Sequence, residues 1–597
     1  MRNRVIAISL VAALVLAFSG IFENEAMHGK IHADAQGYYS YLVAIFIEHS
    51  FDWERVIHSY ADVYFDGGGA DFTVTSELGR VNKYYVGTAV LMLPFFALSC
   101  LAALLLGYPV DGYSAPFHIG MMCSALCYAG LGMYFLSRFL EARGIGSRIA
   151  VFVAVTTLFA TNLFHYSISE PAMSHAYSFA LFSAFMFLVD DWARSGKDKL
   201  LLYSAAVYGL IVLVRPVNGL ILLSVPFLTG GMVPLWERLR SQSHLVRQIA
   251  VATAIVFGIL VAQSLVYLAQ VGKPFIWSYQ GEGFVFSDPQ VLNVLFSFRK
   301  GLFVYTPFAF IGTVGLLWFL AKRTKEALWL WLFVAVSVYV ISSWWNWYYG
   351  SSMGMRALIE YLPFFAFGVA FLLQSTGKMG KALIITVCLL LVSVNLVQSY
   401  QYQKFILHWD GMDQARYWQV FLRTDRKFDG IFYRKPIGLE LPNEEQVLNR
   451  AVFETDLEEG TIWGEQGRNS EKAFSGSFSS RMSEEGPYGA TIGIPVGQMG
   501  PSGTKKLLVS AQVWSEEALP DLTIAYSYRS STGDYGHEYI GIGQYVIEPG
   551  TWTAIKHIAP IGAATDTAHA WIVYPFSSGK TEVYVDDLRY EVITLKE

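Results

Sequence analysis

The feature that most constrains this chain is a series of about ten apolar stretches, each near the length of a bilayer crossing, between residues 5 and 400. A hydrocarbon core about 30 Å thick needs about 20 apolar residues in a helix, because lipid offers no partner for unpaired backbone groups. Beyond residue 400 the apolar stretches stop. The sequence therefore predicts a polytopic α-helical membrane protein with a C-terminal domain outside the bilayer.

Composition and charge agree with a membrane protein and exclude some other classes of protein. Hydrophobic residues make up 54% of the chain and charged residues 15%, whereas soluble domains carry about 25% charged residues. The formal net charge is only −5, so no nucleic-acid partner is predicted. All four cysteines lie in the apolar part of the chain, where they indicate packing rather than a disulfide framework or a zinc site.

Clusters of Lys and Arg set the predicted orientation, because short loops with these residues stay in the cytoplasm. We take the first apolar stretch as an uncleaved helix rather than a signal peptide. Every loop with a Lys/Arg cluster then lies on the cytoplasmic side, provided that residues 84–106 form a juxtamembrane helix in the outer leaflet and do not cross the membrane. The C-terminal domain is thereby placed outside the cytoplasm. The eleven predicted crossings are residues 5–22, 116–137, 149–167, 173–190, 200–214, 217–234, 249–270, 302–321, 327–343, 357–374 and 382–400.

The first predicted outer loop, residues 23–83, is long and acidic. Near its start, Asp34, Tyr38 and Tyr41 share one face of a predicted helix that begins with Asp34 as its N-cap. The loop ends with Lys83, a cation at the point where the chain returns to the membrane interface. One interpretation is that Asp34 only caps this helix; the other is that it is a functional acid at the membrane surface.

Three later outer loops carry ionisable residues at helix ends. Glu170 and His175 lie at the mouth of two predicted crossings, where such groups are costly and indicate function. The alternative for this pair is a helix cap with side chains that extend to the interface. Arg215 stands at a predicted helix break, and Arg299 precedes the crossing that follows loop 271–301.

The most specific outer loop is 343–356, which contains five aromatic residues, two glycines and an arginine. An interfacial aromatic belt explains the Trp and Tyr residues, but not the glycines or the terminal Arg356. Aromatic faces bind sugar rings and isoprenoid tails, and an Arg guanidinium binds phosphate through a planar fork. The predicted sugar or lipid contacts are Tyr38, His175, Trp344, Trp345 and Trp347.

These motifs resemble those of the GT-C membrane glycosyltransferases, over about residues 1–400. They are most similar to bacterial relatives of protein O-mannosyltransferases and lipid A aminoarabinose transferases. The resemblance implies transfer of a sugar from a polyprenyl-phosphate donor to a protein, lipid or glycan acceptor, at the outer face of a bacterial inner membrane. It assigns the catalytic acid to Asp34, the lysine before the juxtamembrane helix to Lys83 and a further acid to Glu170. The implied partners are this donor, this acceptor and membrane lipids.

The chain departs from the family pattern at two points. Tyr84 and Tyr85 follow Lys83 where relatives usually show a proline, and Ala35 follows Asp34 where some relatives carry a second acid. The missing acid favours a metal-free mechanism, although a divalent metal at the active site stays open.

The reaction needs a base for the acceptor hydroxyl and cations for the leaving phosphate. The predicted base is Asp34. The predicted phosphate-binding residues are Lys83, Arg215, Arg299 and Arg356.

Residues 446–597 are predicted to form an all-β sandwich, joined to the membrane domain by a connector of residues 401–445. Short alternating runs such as 507–514, 523–528 and 581–588 recur between turn signals, as is typical of sandwiches.

The early Phe474–Ser477 segment and the final Val585–Leu588 segment resemble jelly-roll carbohydrate-binding modules. This resemblance implies glycan binding and a structural calcium near the final acids. The alternative is a plain sandwich that packs over the active site.

Two other functions remain open on the sequence. A transporter or flippase for lipid-linked sugars typically shows internal repeats and ionisable residues at the bilayer midplane, whereas here these residues gather at one face. An O-antigen ligase or polymerase of related architecture is not distinguished, because a phosphate or diphosphate donor linkage leaves no clear trace in these motifs.

Overall fold

The computed structural model forms two compact units. The helical unit comprises Met1–Gln403 and Trp409–Leu422, and the β-rich unit comprises Lys404–His408 and Arg423–Glu597. Residues 23–29, 65–71 and 433–441, which belong to the predicted first outer loop and connector, lie outside the described residues. The structure describes residues 2–20, 30–64, 72–242, 244–425, 428–432, 442, 444–458, 463–464, 466–501, 503–516, 520, 522–529, 535–541, 549–561, 570–577 and 582–596.

The helical unit follows the apolar stretches of the sequence. It also contains 3₁₀ helices at Pro216–Ser224 and Arg356–Tyr361 and an antiparallel hairpin of β1 (Thr73–Ser76) and β2 (Gly79–Asn82). Its α-helices are α1 (Arg2–Phe18), α2 (Asp34–Phe46), α3 (Trp53–Tyr64), α4 (Gly87–Leu106), α5 (Ala115–Ala142), α6 (Ser147–Phe159), α7 (Leu163–Ile168), α8 (His175–Ser195), α9 (Asp198–Val214), α10 (Val225–Leu228), α11 (Met232–Arg240), α12 (Leu245–Val271), α13 (Val291–Phe296), α14 (Leu302–Tyr305), α15 (Pro307–Lys322), α16 (Thr324–Ser342), α17 (Leu362–Ser375), α18 (Lys378–Gln403) and α19 (Gln414–Val420).

Six helices among the described residues are long and apolar enough to cross a membrane: α4, α5, α12, α16, α18 and the continuous run Arg356–Ser375. The bent helix pair Pro216–Leu228 and Met232–Arg240 raises the number of candidate crossings to seven if the two helices together form one crossing. The predicted number of eleven crossings is therefore not confirmed. Helix α4 itself has the length of a crossing, so the juxtamembrane position of residues 84–106 stays a prediction.

Broken helices explain part of the difference between the eleven predicted crossings and the six helices that are long enough to cross a membrane. The predicted crossing 149–167 is divided into α6 and α7, and the Asn395 side chain donates to the carbonyls of Phe159 and Thr161 at the break, at 2.9 and 2.8 Å. The predicted crossing 302–321 is divided before Pro307, which has no N–H to continue α14. Apolar composition extends through both breaks, so hydropathy alone does not detect them.

Two glycines bring distant parts of the helical unit together. A Cβ at Gly87 would lie 2.5 Å from the carbonyl carbon of Leu213, so only glycine lets the start of α4 touch the end of α9. A Cβ at Gly315 would lie 1.9 Å from the carbonyl oxygen of Gly368, where α15 crosses α17. Small residues at crossing points allow this close approach of backbones. The contact at Gly87 places the residues before α4 beside Arg215.

The β-rich unit contains two antiparallel sheets. Their strands are β3 (Val447–Thr455), β4 (Trp463–Gly464), β5 (Arg468–Asn469), β6 (Ser479–Met482), β7 (Thr491–Pro495), β8 (Lys505–Ser515), β9 (Thr523–Arg529), β10 (Tyr535–Gly541), β11 (Thr553–Ile561), β12 (Ala570–Phe576) and β13 (Val583–Leu595). One sheet has the strand order β10-β9-β12-β7-β4; the other has the order β11-β8-β13-β6-β5, and β3 pairs with β13 as well.

Buried side chains of both sheets form one core, so the unit is a β-sandwich, as predicted. In β8, Val509, Ala511 and Val513 are buried, and the residues between them are partly exposed. Trp571 of one sheet stacks on Tyr526 with ring centroids 5.0 Å apart. The predicted runs 507–514 and 523–528 are β8 and β9, whereas the third run begins at Val583 and continues to Leu595; Thr581 lies outside the described residues.

Residues 409–422 of the predicted connector belong to the helical unit. The Gln398 side chain donates to the hydroxyl of Tyr417 at 2.8 Å, and the Gln401 side chain donates to the carbonyl of Val420 at 2.6 Å. These bonds attach α19 to the end of α18. The connector is thus partly folded onto the helices that precede it.

Candidate functional site

A cavity of about 770 Å³ lies in the helical unit. Its wall is formed by the start of α2, the segment after β2 and the break after α9. Two loops complete the wall: the loop before α13 and the loop after α16. A volume of this size suits a small organic ligand. The polar and aromatic side chains that line it are Asp34, Tyr38, Lys83, Tyr84, Tyr85, His175, Tyr208, Arg215, Trp277, Tyr279, Glu282, Trp344, Trp345, Asn346, Tyr349 and Arg356.

Asp34 and Arg356 meet in this cavity, although 322 residues separate them in the sequence. Nη2 of Arg356 donates to Oδ2 of Asp34 at 2.5 Å, and the Asp34 side chain is 35% exposed. The N-cap position of α2 belongs to Ala33, which has a φ of 49°, and no side chain caps the helix. The prediction that Asp34 is the N-cap is therefore wrong by one residue. Its carboxylate faces the cavity instead of the helix end.

The environment of Asp34 keeps it ionised. Burial raises the pKa of the Asp34 carboxyl, but the charge of Arg356, hydrogen bonds from Tyr84 and Arg356, and the charge of Lys83 together outweigh it. The net pKa lies below the ordinary value for an aspartate. Asp34 is therefore a carboxylate at neutral pH.

Arg215 is held by a carboxylate that the sequence did not suggest. Nη1 of Arg215 donates to Oε1 of Glu360 at 2.7 Å, and Nδ1 of His175 lies 3.3 Å from Oε2 of the same residue. Glu360 is fully buried, one helical turn after Arg356. The signal that could have found it is an acid inside an otherwise apolar predicted crossing, where ionisable residues are rare and usually functional.

Lys83 is paired in a similar way. Its ammonium group forms an ion pair with Glu282 and lies 5.3 Å from the ring centroid of Tyr279. Both partners lie in the predicted outer loop 271–301, in which Arg299 was the predicted site residue. No motif distinguishes Glu282 or Tyr279 in the sequence, so only the folded structure identifies them.

The aromatic loop 343–356 lines the cavity with Trp344 and Trp345 but not with Trp347. Its backbone pairs with the loop before α13: the Val285 N–H donates to the Ser343 carbonyl, and the Trp345 N–H donates to the Gly283 carbonyl, at 2.6 and 2.9 Å. The Trp344 ring packs edge-on against Phe284, with centroids 4.9 Å apart. The two loops therefore form one wall.

Left-handed residues turn the aromatic loop toward Arg356. Tyr349, Gly350 and Gly354 have φ values of 58°, 67° and 62°, a region that glycine enters without strain. A Cβ at Gly354 would also lie 2.8 Å from the Cβ of Tyr305. The two glycines of the motif, which an aromatic belt does not explain, are thus required by the backbone.

Arg299 and Lys300 anchor this loop rather than line the cavity. Arg299 donates from Nη2 to both carboxylate oxygens of Asp410, at 3.0 and 3.1 Å, and its guanidinium carbon lies 3.3 Å from the ring centroid of Tyr348. Lys300 is buried and donates to the carbonyls of Ser352 and Trp409. Burial lowers the pKa of Lys300 to about 7. The predicted phosphate contact from Arg299 would require it to leave Asp410.

Glu170 is not among the residues that line the cavity. Its carboxylate is 3.1 Å from Nε2 of His165, and the residue is 8% exposed. Burial raises the pKa of Glu170, but the hydrogen bond from His165 and its charge outweigh this, and the net pKa is lowered. Its catalytic role stays a prediction.

The sequence left open a divalent metal at the active site and a structural calcium in the C-terminal domain. Among the residues that the structure describes, no group of three or more His, Cys, Asp or Glu side chains is placed to hold a metal ion. Asp586 accepts backbone N–H bonds from Phe474, Ser475 and Asp587 at 2.7, 3.1 and 2.8 Å. The Asp586 carboxylate thus holds the Phe474–Ser475 segment against the start of β13 by backbone hydrogen bonds.

Replacing Glu360 by Gln is expected to lower the melting temperature of the detergent-solubilised protein by several degrees. Removing one partner of a buried ion pair leaves Arg215 uncompensated, which costs about 3–5 kcal/mol. The control is Glu141→Gln, because the Arg2–Glu141 pair is partly exposed, with side-chain exposures of 20% and 25%, and such pairs contribute about 0–1 kcal/mol. Equal melting temperatures for the two variants would show that Glu360 does not hold Arg215.

The fold and cavity define a helical membrane protein with an appended β-sandwich. The sequence matches no protein-family model and no curated protein sequence, so its similarities come from solved structures. Over 100% of this chain it is similar to arabinosyltransferase EmbB from Mycobacterium smegmatis, with 11% identity, a TM-score of 0.37 and 64% of that chain covered.

Further similarities to solved structures concern the β-rich unit. One is to the CBM22-1 xylan-binding domain of Paenibacillus barcinonensis Xyn10C, with 14% identity and a TM-score of 0.17 over 25% of this chain and 96% of that one. Another is to the C-terminal family 22 carbohydrate-binding module of Clostridium thermocellum Xyn10B, with 15% identity, a TM-score of 0.18 and the same coverage.

Proposed function

We propose that this protein is a GT-C-type membrane glycosyltransferase that transfers a sugar from a polyprenyl-phosphate donor to a protein, lipid or glycan acceptor. The observation that carries the proposal is the cavity in which the Asp34 carboxylate meets the cations Lys83, Arg215 and Arg356 beside the Trp344 ring. A base, phosphate-binding cations and a sugar-binding aromatic face are the groups that such a transfer requires.

The proposed reaction uses these groups in one displacement. The Asp34 carboxylate accepts the proton of the acceptor hydroxyl as its oxygen forms a bond to the anomeric carbon. The bond between that carbon and the phosphate oxygen breaks, and the electron pair leaves with polyprenyl phosphate. Arg356, Arg215 and Lys83 stabilise the charge that develops on the leaving phosphate.

The apolar wall of the cavity supports a lipid-linked donor. Leu222 and Leu223 line the cavity and are 46% and 37% exposed, and Leu220, Val217 and Val340 extend the same wall. An isoprenoid chain is apolar along its length and would cover this surface. A water-soluble sugar nucleotide would leave it uncovered.

The test is a transfer assay with purified protein in lipid nanodiscs. Labelled polyprenyl-phosphate sugars, polyprenyl-diphosphate sugars and sugar nucleotides are offered with a mixture of glycan, lipid and peptide acceptors. Transfer from the monophosphate donors alone is expected. Transfer from diphosphate donors alone would instead identify a ligase or polymerase, and movement of intact donor across proteoliposomes without transfer would identify a transporter.

We further infer that about eleven crossings place the cavity and the β-rich unit at the periplasmic side of a bacterial inner membrane. The support is the alternation of positive loops, with Lys378 and Lys381 held inside before α18. Alkaline phosphatase fused after Glu597 should be active, and green fluorescent protein fused there should stay dark. The reverse result would invert the map and make α4 a crossing.

A further inference from the structure

We propose that Arg356 is shared between Asp34 and the donor phosphate, so that donor binding draws its guanidinium from the carboxylate and frees the base. This inference rests on the proposed function and deepens it. It makes Arg356 a positioning residue for Asp34 before the donor binds and a phosphate ligand afterwards. The base would then become effective only when a donor is in place.

The charge balance of the cavity supports this assignment. Each cation at its wall already has a carboxylate partner: Glu282 for Lys83, Glu360 for Arg215 and Asp34 for Arg356. A phosphate must therefore compete with a carboxylate for whichever cation it binds.

The three pairs differ in how open they are to an incoming phosphate. The carboxylate side chains of Glu360, Glu282 and Asp34 are 0%, 21% and 35% exposed. Glu360 is also fixed by His175 at 3.3 Å and lies 3.5 Å from the Asn218 amide nitrogen. The pair at Asp34 is thus the most open, and phosphate is expected to compete there first.

The guanidinium of Arg356 has donors for both partners. A guanidinium carries five N–H donors in a planar fork, and the bond to Asp34 uses Nη2. Its side chain is 13% exposed and lines the cavity. A small rotation could keep the fork in the cavity while it turns from carboxylate to phosphate.

The consequence for Asp34 follows from the causes of its low pKa. Burial raises that pKa, and the charge of Arg356 is the largest opposing cause. When phosphate neutralises Arg356, the largest cause that lowers the pKa of Asp34 is lost, and this pKa rises. A general base works best with a pKa near the working pH. The charged or titratable groups that interact with Asp34 are His32, Tyr38, Lys83, Tyr84, Tyr166, Tyr279 and Arg356.

Because donor binding raises the pKa of Asp34, binding is coupled to the uptake of a proton. A carboxyl whose pKa rises on binding takes up a proton at any pH between its free and bound values. The donor analogue should therefore bind more tightly as pH falls through that range. Asp34→Asn removes both the proton uptake and the competition for Arg356.

The experiment is calorimetric titration with methyl farnesyl phosphate, a phosphodiester that stays singly charged, in buffers of different ionisation enthalpy near pH 5. Wild-type protein should take up protons on binding. Asp34→Asn should take up none and should bind the analogue about 5- to 20-fold more tightly, because Arg356 is no longer neutralised. Unchanged thermal melting of the variant checks its fold, and Arg356→Gln should also abolish proton uptake.

Glu282→Gln is the matched control, since it frees Lys83 instead, and it should retain the proton uptake. Loss of uptake in that variant would assign the shared cation to Lys83 and overturn the proposal. Binding to the wild type without proton uptake, with equal or weaker binding to Asp34→Asn, would also overturn it while leaving the phosphate site intact. No binding to the wild type would instead contradict the proposed function.

Discussion

Asp34→Asn is expected to lower sugar transfer by about 10²- to 10⁴-fold, the usual contribution of a general base. The amide has nearly the same shape as the carboxylate but cannot accept the proton of the acceptor hydroxyl. The measurement is the rate of label transfer from a polyprenyl-phosphate sugar in nanodiscs, with donor at saturation so that only turnover is compared.

Glu170→Gln is a useful comparison for this variant, because it removes the second predicted acid without touching the cavity lining. If Asp34→Asn turns over at a near-normal rate while Glu170→Gln is inactive, the base has been assigned to the wrong acid. Retained binding of methyl farnesyl phosphate in both variants would show that the losses are chemical and not structural.

Arg356→Ala is expected to weaken donor binding by about 10- to 100-fold, because a hydrogen bond to a charged group contributes about 1.5–3 kcal/mol. Turnover should fall as well, since the cation that stabilises the leaving phosphate is lost. Arg356→Lys should recover only part of the affinity, because an ammonium lacks the planar fork.

Arg299→Ala provides the contrast to Arg356→Ala. Arg299 is bound to Asp410 and stacked on Tyr348, so its loss should loosen the aromatic loop and lower the melting temperature more than the donor affinity. If donor affinity instead falls with Arg299→Ala and is unchanged with Arg356→Ala and Arg356→Lys, the phosphate binds elsewhere than proposed.

Hydropathy identified the helical part of the chain, and the alternation of apolar and polar residues identified the β-rich part, because both are local properties of sequence. The apolar stretches became helices, and the alternating run 507–514 became β8 with Val509, Ala511 and Val513 facing the core. The same local signals did not detect the breaks before Pro307 and between α6 and α7. A helix can stop inside an apolar stretch when a side chain such as Asn395 satisfies the freed carbonyls.

The sequence by itself predicted Asp34, Lys83, Arg215 and Arg356 as site residues from their charge and their place at the ends of apolar stretches, and these four line one cavity. Only the tertiary structure decided how they are paired. Ion pairs form between residues that are 145 to 322 positions apart, and their geometry depends on close backbone contacts such as that at Gly87. Glu360 and Glu282 therefore became visible as partners only in the fold, because a carboxylate's role depends on the cation it meets.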